Sequence, residues 1–157
     1  MSKTFKILVI EDSEPDLWLL KEALRLVEDK DLKLDVACVT NGQDGIDYVL
    51  KNGKYTDVTT PELIFLDLNL PVKNGFEVLK CLKTDALYKM IPIIIYSTSD
   101  ESGDVCASYS LYANSYLTKT FSIVELFDKI KCFSNYWLNT VELPNTSSYC
   151  LIDKENK

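Results

Sequence analysis

The 157-residue chain fits one ordinary domain, and a hydrophobic content of 46% is enough to build a buried core. Its 24 acids against 17 bases leave a net charge of -7, which disfavours nucleic acid as a partner, because phosphate backbones are bound by clustered cations. The apolar runs fall far short of the ~20 residues of a membrane span and the amino terminus carries no signal-peptide core, so the expected location is the cytoplasm, with no membrane partner.

Lys6 to Ile10 reads as a first strand, and Ser13-Glu14-Pro15-Asp16 then supplies a cap, an early proline and first-turn acids for a helix. Leu17, Leu20, Leu24 and Val27 form the apolar stripe of that helix. Leu34 to Val39 is a second strand, and Asn41 to Leu50 a second helix with Ile46, Val49 and Leu50 inward and Gly53 just past its end. A surface loop over 54–60 leads to a third strand, Leu63 to Leu66. The Pro71 and Gly75 loop then opens a helix with Phe76, Leu79 and Leu82 on one face. Ile91 to Tyr96 is a fourth strand. The segment Ser97 to Tyr112 is rich in serine and acids and has only an irregular apolar set, so its helix is expected to be the least secure. Asn114 to Leu117 is a fifth strand, followed by a helix in which Ser122 and Glu125 have capping-box spacing and Ile123, Leu126, Phe127, Ile130 and Phe133 share a side.

Five alternations of strand and helix predict right-handed crossovers and an α/β fold, a doubly wound five-stranded parallel sheet with helices on both faces. The expected folded domain covers 1–138. Residues 139–157 form a tail whose composition suits partial disorder, with Trp137, Leu138 and Leu143 as an alternative docking patch.

Four of the five strands end in a polar signal. Glu11-Asp12 follows the first, Asp67 the third, Ser97-Thr98 the fourth and Lys119 the fifth. In a parallel sheet all four meet at the carboxyl edge, where ligands of open α/β sheets gather. Clustered carboxylates repel one another and call for a cation; all-oxygen ligands suit Mg²⁺, or Mn²⁺, held by Asp12, Asp67, the carbonyl of Asn69 and, through water, Glu11. Phosphoryl transfer needs positioning and charge neutralisation, which Lys119 and Ser97 supply, so Asp67 is the candidate phosphoacceptor. The five cysteines, Cys38, Cys81, Cys106, Cys132 and Cys150, are scattered, and the chain contains no histidine. Zinc sites of the usual cysteine and histidine type, histidine-based dyads and a phosphohistidine on this chain are thereby excluded.

Glu11-Asp12, Asp67-x-x-x-Pro71-x-x-x-Gly75, Ser97-Thr98 and Lys119 together resemble the receiver domain of two-component response regulators, over roughly Lys3 to Tyr136. The resemblance implies a flavodoxin-like receiver phosphorylated on Asp67 by the phosphohistidine of a sensor kinase or a histidine phosphotransfer protein. It also implies a Mg²⁺-dependent conformational switch through Ser97 and Tyr116, with Thr98 beside the phosphoryl group. The output surface would be the face of the fourth helix, fifth strand and fifth helix, through which a homodimer could form. The tail is similar to that of stand-alone receivers of the cyanobacterial phytochrome response regulator group. Such a module signals and is not an enzyme, apart from self-phosphorylation by small donors and autodephosphorylation. Most receivers follow the lysine with a cis proline; Thr120 stands here, and a cis bond to a non-proline costs ~2.5–4 kcal/mol, which leaves the Lys119–Thr120 peptide open between cis and trans.

An alternative is an aspartyl-phosphate phosphatase of the haloacid-dehalogenase type, but there a second aspartate usually stands two positions on as general acid, where this chain has Asn69. A flavin carrier on the same fold is disfavoured by Glu11-Asp12 in the loop that would have to receive a phosphate.

Overall fold

The computed structural model describes residues 2–146. It contains five parallel strands, β1 (Lys3–Ile10), β2 (Leu32–Val39), β3 (Leu63–Leu66), β4 (Ile93–Ser97) and β5 (Ser115–Thr118), in the order β2-β1-β3-β4-β5. The connecting helices are α1 (Glu14–Leu26), α2 (Gly42–Leu50), α3 (Gly75–Thr84), α4 (Ser102–Ser110) and α5 (Ile123–Ser134). This is the expected doubly wound receiver fold. β3 and the apolar part of β4 are continuous apolar runs because both of their faces are covered, so alternation is lost.

The sheet divides two apolar layers. On one side Leu20, Ala23 and Leu24 of α1 and Leu126, Ile130 and Phe133 of α5 pack on Phe5, Ile7, Val9 and Phe65. On the other, Ile46 and Val49 of α2 and Val78, Leu79 and Leu82 of α3 pack on Leu8, Ile10, Ile64 and Leu66. Each such aliphatic side chain contributes about 1.5–3 kcal/mol by leaving water. α4 supplies no apolar residue to either buried set; Ser108 is its one buried side chain, and its hydroxyl donates to the Asp104 carbonyl at 2.8 Å. Its N-cap, Glu101, makes no capping hydrogen bond. The weak apolar pattern of this segment therefore corresponds to a weakly anchored helix.

Several local details differ from expectation. β1 and β2 each begin earlier, because Lys3 to Phe5 pair with Leu32 to Leu34 although their alternating polar residues hide the strand. α2 is closed by Lys51 in the left-handed conformation (φ 60), while Gly53 starts a separate 3-10 turn. The Ser122/Glu125 pair forms half a capping box: Ser122 Oγ accepts from the Glu125 amide at 3.3 Å, but the Glu125 carboxylate receives the Thr120 hydroxyl instead. The reciprocal box belongs to α3, where Asn74 Oδ1 accepts from the Glu77 amide at 3.0 Å and Glu77 Oε2 from the Asn74 amide at 2.8 Å.

At the other edge of the sheet from the polar cluster, Lys83 of α3 ties three points together. Its ammonium donates to the carbonyls of Lys89 and Ile91 and to Asn114 Oδ1, which also accepts from the Ile93 amide.

Beyond α5 the chain widens into a π-helical turn, Asn135–Thr140, closed by the Val141 amide on the Tyr136 carbonyl at 3.1 Å. Leu138, 3% exposed, enters the α1/α5 core layer, and Trp137 and Leu143 pack against it. These three residues thus contribute to the intramolecular core, whereas most of the expected tail, with Cys150, lies outside the described residues. The four described cysteines are free thiols. Among the described residues, no helix is long and apolar enough to cross a membrane.

Candidate functional site

Three polar residues occupy the carboxyl edge because the sheet ladder runs one rung past the strands. The Glu11 amide donates to Val39 O at 3.0 Å, the Asp67 amide to Ile10 O at 3.0 Å and the Lys119 amide to Ser97 O at 2.7 Å. Backbone pairing therefore aims all three side chains into one crevice at the carboxyl ends of β1, β3 and β5.

Glu11 and Asp67 are buried and Asp12 is exposed; one oxygen from each lies within 4.8 Å of the others. Lys119, its side chain 7% exposed, places Nζ 2.6 Å from Glu11 Oε2, 2.9 Å from Asp16 Oδ2 and 3.6 Å from Asp67 Oδ2. The same ammonium stands 5.3 Å above the Tyr96 ring, within cation–π range. Glu11 Oε1 accepts from the Ser13 amide at 3.0 Å, whereas Oε2 has the close ammonium but no aligned hydrogen bond.

Three carboxylates, Glu11, Asp16 and Asp67, thus surround one ammonium, with Asp12 beside them, and the local charge is negative. Burial, opposed by the Lys119 contact and the Ser13 amide but reinforced by the charge of Asp67, raises the Glu11 carboxyl to about 7. Burial alone would lower the Lys119 ammonium, yet the close contact with Glu11, the hydrogen bond to Asp16 and the charge of Asp67 hold it above the usual lysine range. It is a permanent cation.

The loop after Asp67 is tightly built. Leu68 and Leu70 are buried and leave Asn69 exposed between them. Pro71 O accepts from the Lys73 amide at 2.8 Å across Val72, whose φ of 68 makes this a γ-turn of the strained kind. A Cβ on Gly75 would run into the Asp67 carbonyl, so only glycine lets α3 start this close to the site.

Ser97 is fully buried, its Oγ accepting from the Ser99 amide at 3.3 Å, and Thr98 is exposed. The Tyr116 hydroxyl donates to the Ser99 carbonyl at 2.8 Å, and the Ser99 hydroxyl donates to Asp104 of α4 at 2.6 Å. A chain of contacts therefore joins the end of β4 to both β5 and α4. The Lys119–Thr120 peptide is trans, like every peptide among the described residues, and Thr120 turns the loop by accepting from the Ser122 amide.

Of the residues expected from the sequence, Glu11, Asp12, Asp67 and Lys119 come together. Ser97 closes β4 with its hydroxyl engaged by its own loop, Asn69 and Thr98 sit exposed on the loops after β3 and β4, and Tyr116 reaches the Ser99 carbonyl. Asp16 and Ser99 were not anticipated. Asp16 looked like a first-turn helix acid, and its reach to Lys119, 103 positions away, depends on how α1 packs against the loop after β5.

The model of the response regulator receiver domain family matches residues 7–131. Among relatives, response regulator Rcp1 of Synechocystis sp. is 37% identical over 138 residues, covering 88% of this chain and 92% of its own length. Two solved structures are similar. The phosphorylated cyanobacterial phytochrome response regulator RcpA has a TM-score of 0.85 and 37% identity, covering 91% of this chain and all of that one. The Mn²⁺-bound form of Rcp1 has a TM-score of 0.81 and 38% identity, covering 90% of this chain and 99% of that one. Sequence, fold and the crevice at the sheet's carboxyl edge agree: this chain belongs to the response regulator receiver domain family.

Proposed function

We propose that Asp67 is the phosphoacceptor of this receiver, taking its phosphoryl group from the phosphohistidine of a sensor kinase or histidine phosphotransfer protein in the cytoplasm. The observation that carries the reading is the placement of a buried carboxylate at the end of β3, 3.6 Å from a permanent ammonium and beside two further acids. An Asp67 oxygen forms the new bond to phosphorus as the phosphorus–nitrogen bond breaks and its electron pair returns to the donor imidazole. Lys119 neutralises charge developing on a phosphoryl oxygen, and Ser97 and Thr98 supply hydroxyls to the others.

The donor set fits a hard divalent cation: three carboxylates converge, and Glu11 Oε2 has no aligned hydrogen bond of its own. Asp12, Asp67 and the Asn69 carbonyl would hold Mg²⁺ or Mn²⁺, with Glu11 in its outer shell. When bound, the cation supplies charge neutralisation for the acids and for the phosphoryl oxygens. The Mn²⁺-bound form of Rcp1 supports this assignment by similarity.

Signalling follows from the contacts of Ser97. Turning its hydroxyl toward a phosphoryl group pulls on the 97–99 loop, and with it on the Tyr116 hydroxyl and on Asp104 of α4. The face that would respond carries exposed Tyr109, Tyr112, Phe121, Ile123 and Val124, an apolar surface suited to a second copy of the chain. The module is not a turnover enzyme; slow self-phosphorylation by small donors and slow hydrolysis are the reactions expected of it. A haloacid-dehalogenase phosphatase finds no support in the family match, and Asn69 is uncharged at the position of its general acid.

Intact mass after exposure to acetyl phosphate tests the assignment. Wild type with Mg²⁺ should gain one phosphoryl adduct, and Asp67→Asn, or wild type in chelator, none. A stoichiometric adduct on Asp67→Asn would remove Asp67 from the role.

A further inference from the structure

We infer that Asp16 is a positioning residue that holds the Lys119 ammonium withdrawn from Asp67, so that phosphoryl acceptance competes with an ion pair built into the first turn of α1. The inference rests on the phosphoacceptor reading of Asp67.

The geometry is unequal. Lys119 Nζ is hydrogen-bonded to Asp16 Oδ2 at 2.9 Å but stands 3.6 Å from Asp67 Oδ2, outside hydrogen-bond range. With its side chain 7% exposed, the ammonium has no room to be solvated, so it changes partners and never goes without one. Its two close partners differ in what their loss would cost. Glu11 is 1% exposed and has no water to replace a lysine, whereas the Asp16 side chain is 29% exposed and can be rehydrated. Asp16 is therefore the partner that yields. It sits in the first turn of α1, where its own amide is held by Ser13 Oγ at 3.4 Å.

A phosphoryl group arriving at Asp67 needs the ammonium that Asp16 holds, and it meets the Asp16 charge as well. Both effects have the same sign: Asp16 slows acceptance. The bonds made and broken remain those of the transfer itself. With acetyl phosphate, an Asp67 oxygen binds phosphorus while the bond from phosphorus to the acetyl oxygen breaks, and acetate leaves with the electron pair.

The experiment uses the full chain as wild type, Asp16→Asn, Asp16→Glu and Asp67→Asn. Nitrogen NMR of the lysine ammonium groups, recorded in metal-free protein with Lys119 assigned through Lys119→Arg, should show the Lys119 signal shifted in Asp16→Asn and returned toward wild type in Asp16→Glu. In the same preparations with saturating Mg²⁺, the apparent second-order rate of labelling by acetyl phosphate should rise about fivefold in Asp16→Asn and fall back in Asp16→Glu. An unmoved ammonium signal overturns the inference, as does a labelling rate equal to or below wild type in Asp16→Asn. Adduct that persists in Asp67→Asn overturns the phosphoacceptor reading itself, and this inference with it. Adduct confined to Asp67 but indifferent to Asp16 overturns this inference alone.

Discussion

α3 and α4 both follow a strand that ends at the candidate site, yet they are held in opposite ways. α3 has a reciprocal capping box, a glycine fitted against the Asp67 carbonyl and three fully buried aliphatic residues. α4 has no capping side chain, one buried serine and a tether through Ser99 to Asp104. The contrast divides the work of a switch: the acceptor carboxylate must not move, so its loop is clamped, whereas the reporting element must move for little free energy.

The sharpest way to break this contrast is to damage each helix in turn. Leu79→Ala should cost about 3 kcal/mol in a urea melt, because it leaves a cavity in the α2/α3 core layer, while Val105→Ala on the half-buried side of α4 should cost less than about 1 kcal/mol. Comparable losses would mean that α4 is anchored as firmly as α3.

A second effect concerns the rigid side alone. The Glu11 carboxyl is raised to about 7, chiefly by burial, so the folded protein binds its proton more tightly than the unfolded chain does. Metal-free protein should accordingly lose stability as pH rises from the ordinary glutamate range through about 7. Saturating Mg²⁺ should reverse that trend by favouring the carboxylate. Chemical denaturation across this pH window with and without Mg²⁺ reads both, and an unchanged slope on adding Mg²⁺ would place the cation elsewhere.

The smallest effects come from the caps. Asn74→Ala should destabilise by about 1 kcal/mol, whereas Glu101→Asn, which gives α4 the cap it lacks, should stabilise by about 0.5 kcal/mol and slow amide exchange across Ser102–Ser110. If Glu101→Asn leaves that exchange unchanged, the looseness of α4 has a cause other than its bare amino terminus.

The site was legible where its position follows from topology. Glu11, Asp12, Asp67 and Lys119 each stand at the carboxyl end of a predicted strand, and parallel pairing brings such residues together whatever the details of packing. The same logic cannot find Asp16, whose role is set by the angle at which α1 crosses the sheet and by the length of the Lys119 side chain. Nor can it find Ser99, which acts through its backbone carbonyl as much as through its hydroxyl. In the fold, the apolar pattern marks only the inner parts of the long strands β1 and β2, because Lys3, Thr4 and Lys33 are exposed ladder residues that break the run. The α3 cap was available in the Asn74-x-x-Glu77 spacing but was overshadowed by Pro71 and Gly75. At the end of α2, glycine seemed the natural left-handed residue, yet Lys51 adopts that conformation two positions earlier. Local propensity ranks candidates and tertiary packing chooses among them.

The segment after α5 has a practical consequence for anyone attaching a fluorophore, an affinity handle or a second protein to this molecule. α5 ends at Ser134, an inviting place to cut or fuse, but Leu138 and Leu143 beyond it cover the same apolar layer that Leu20, Leu24 and Phe133 build. A junction placed at the helix end would strip that cover and leave a greasy seam between α1 and α5, so a graft belongs after Leu143.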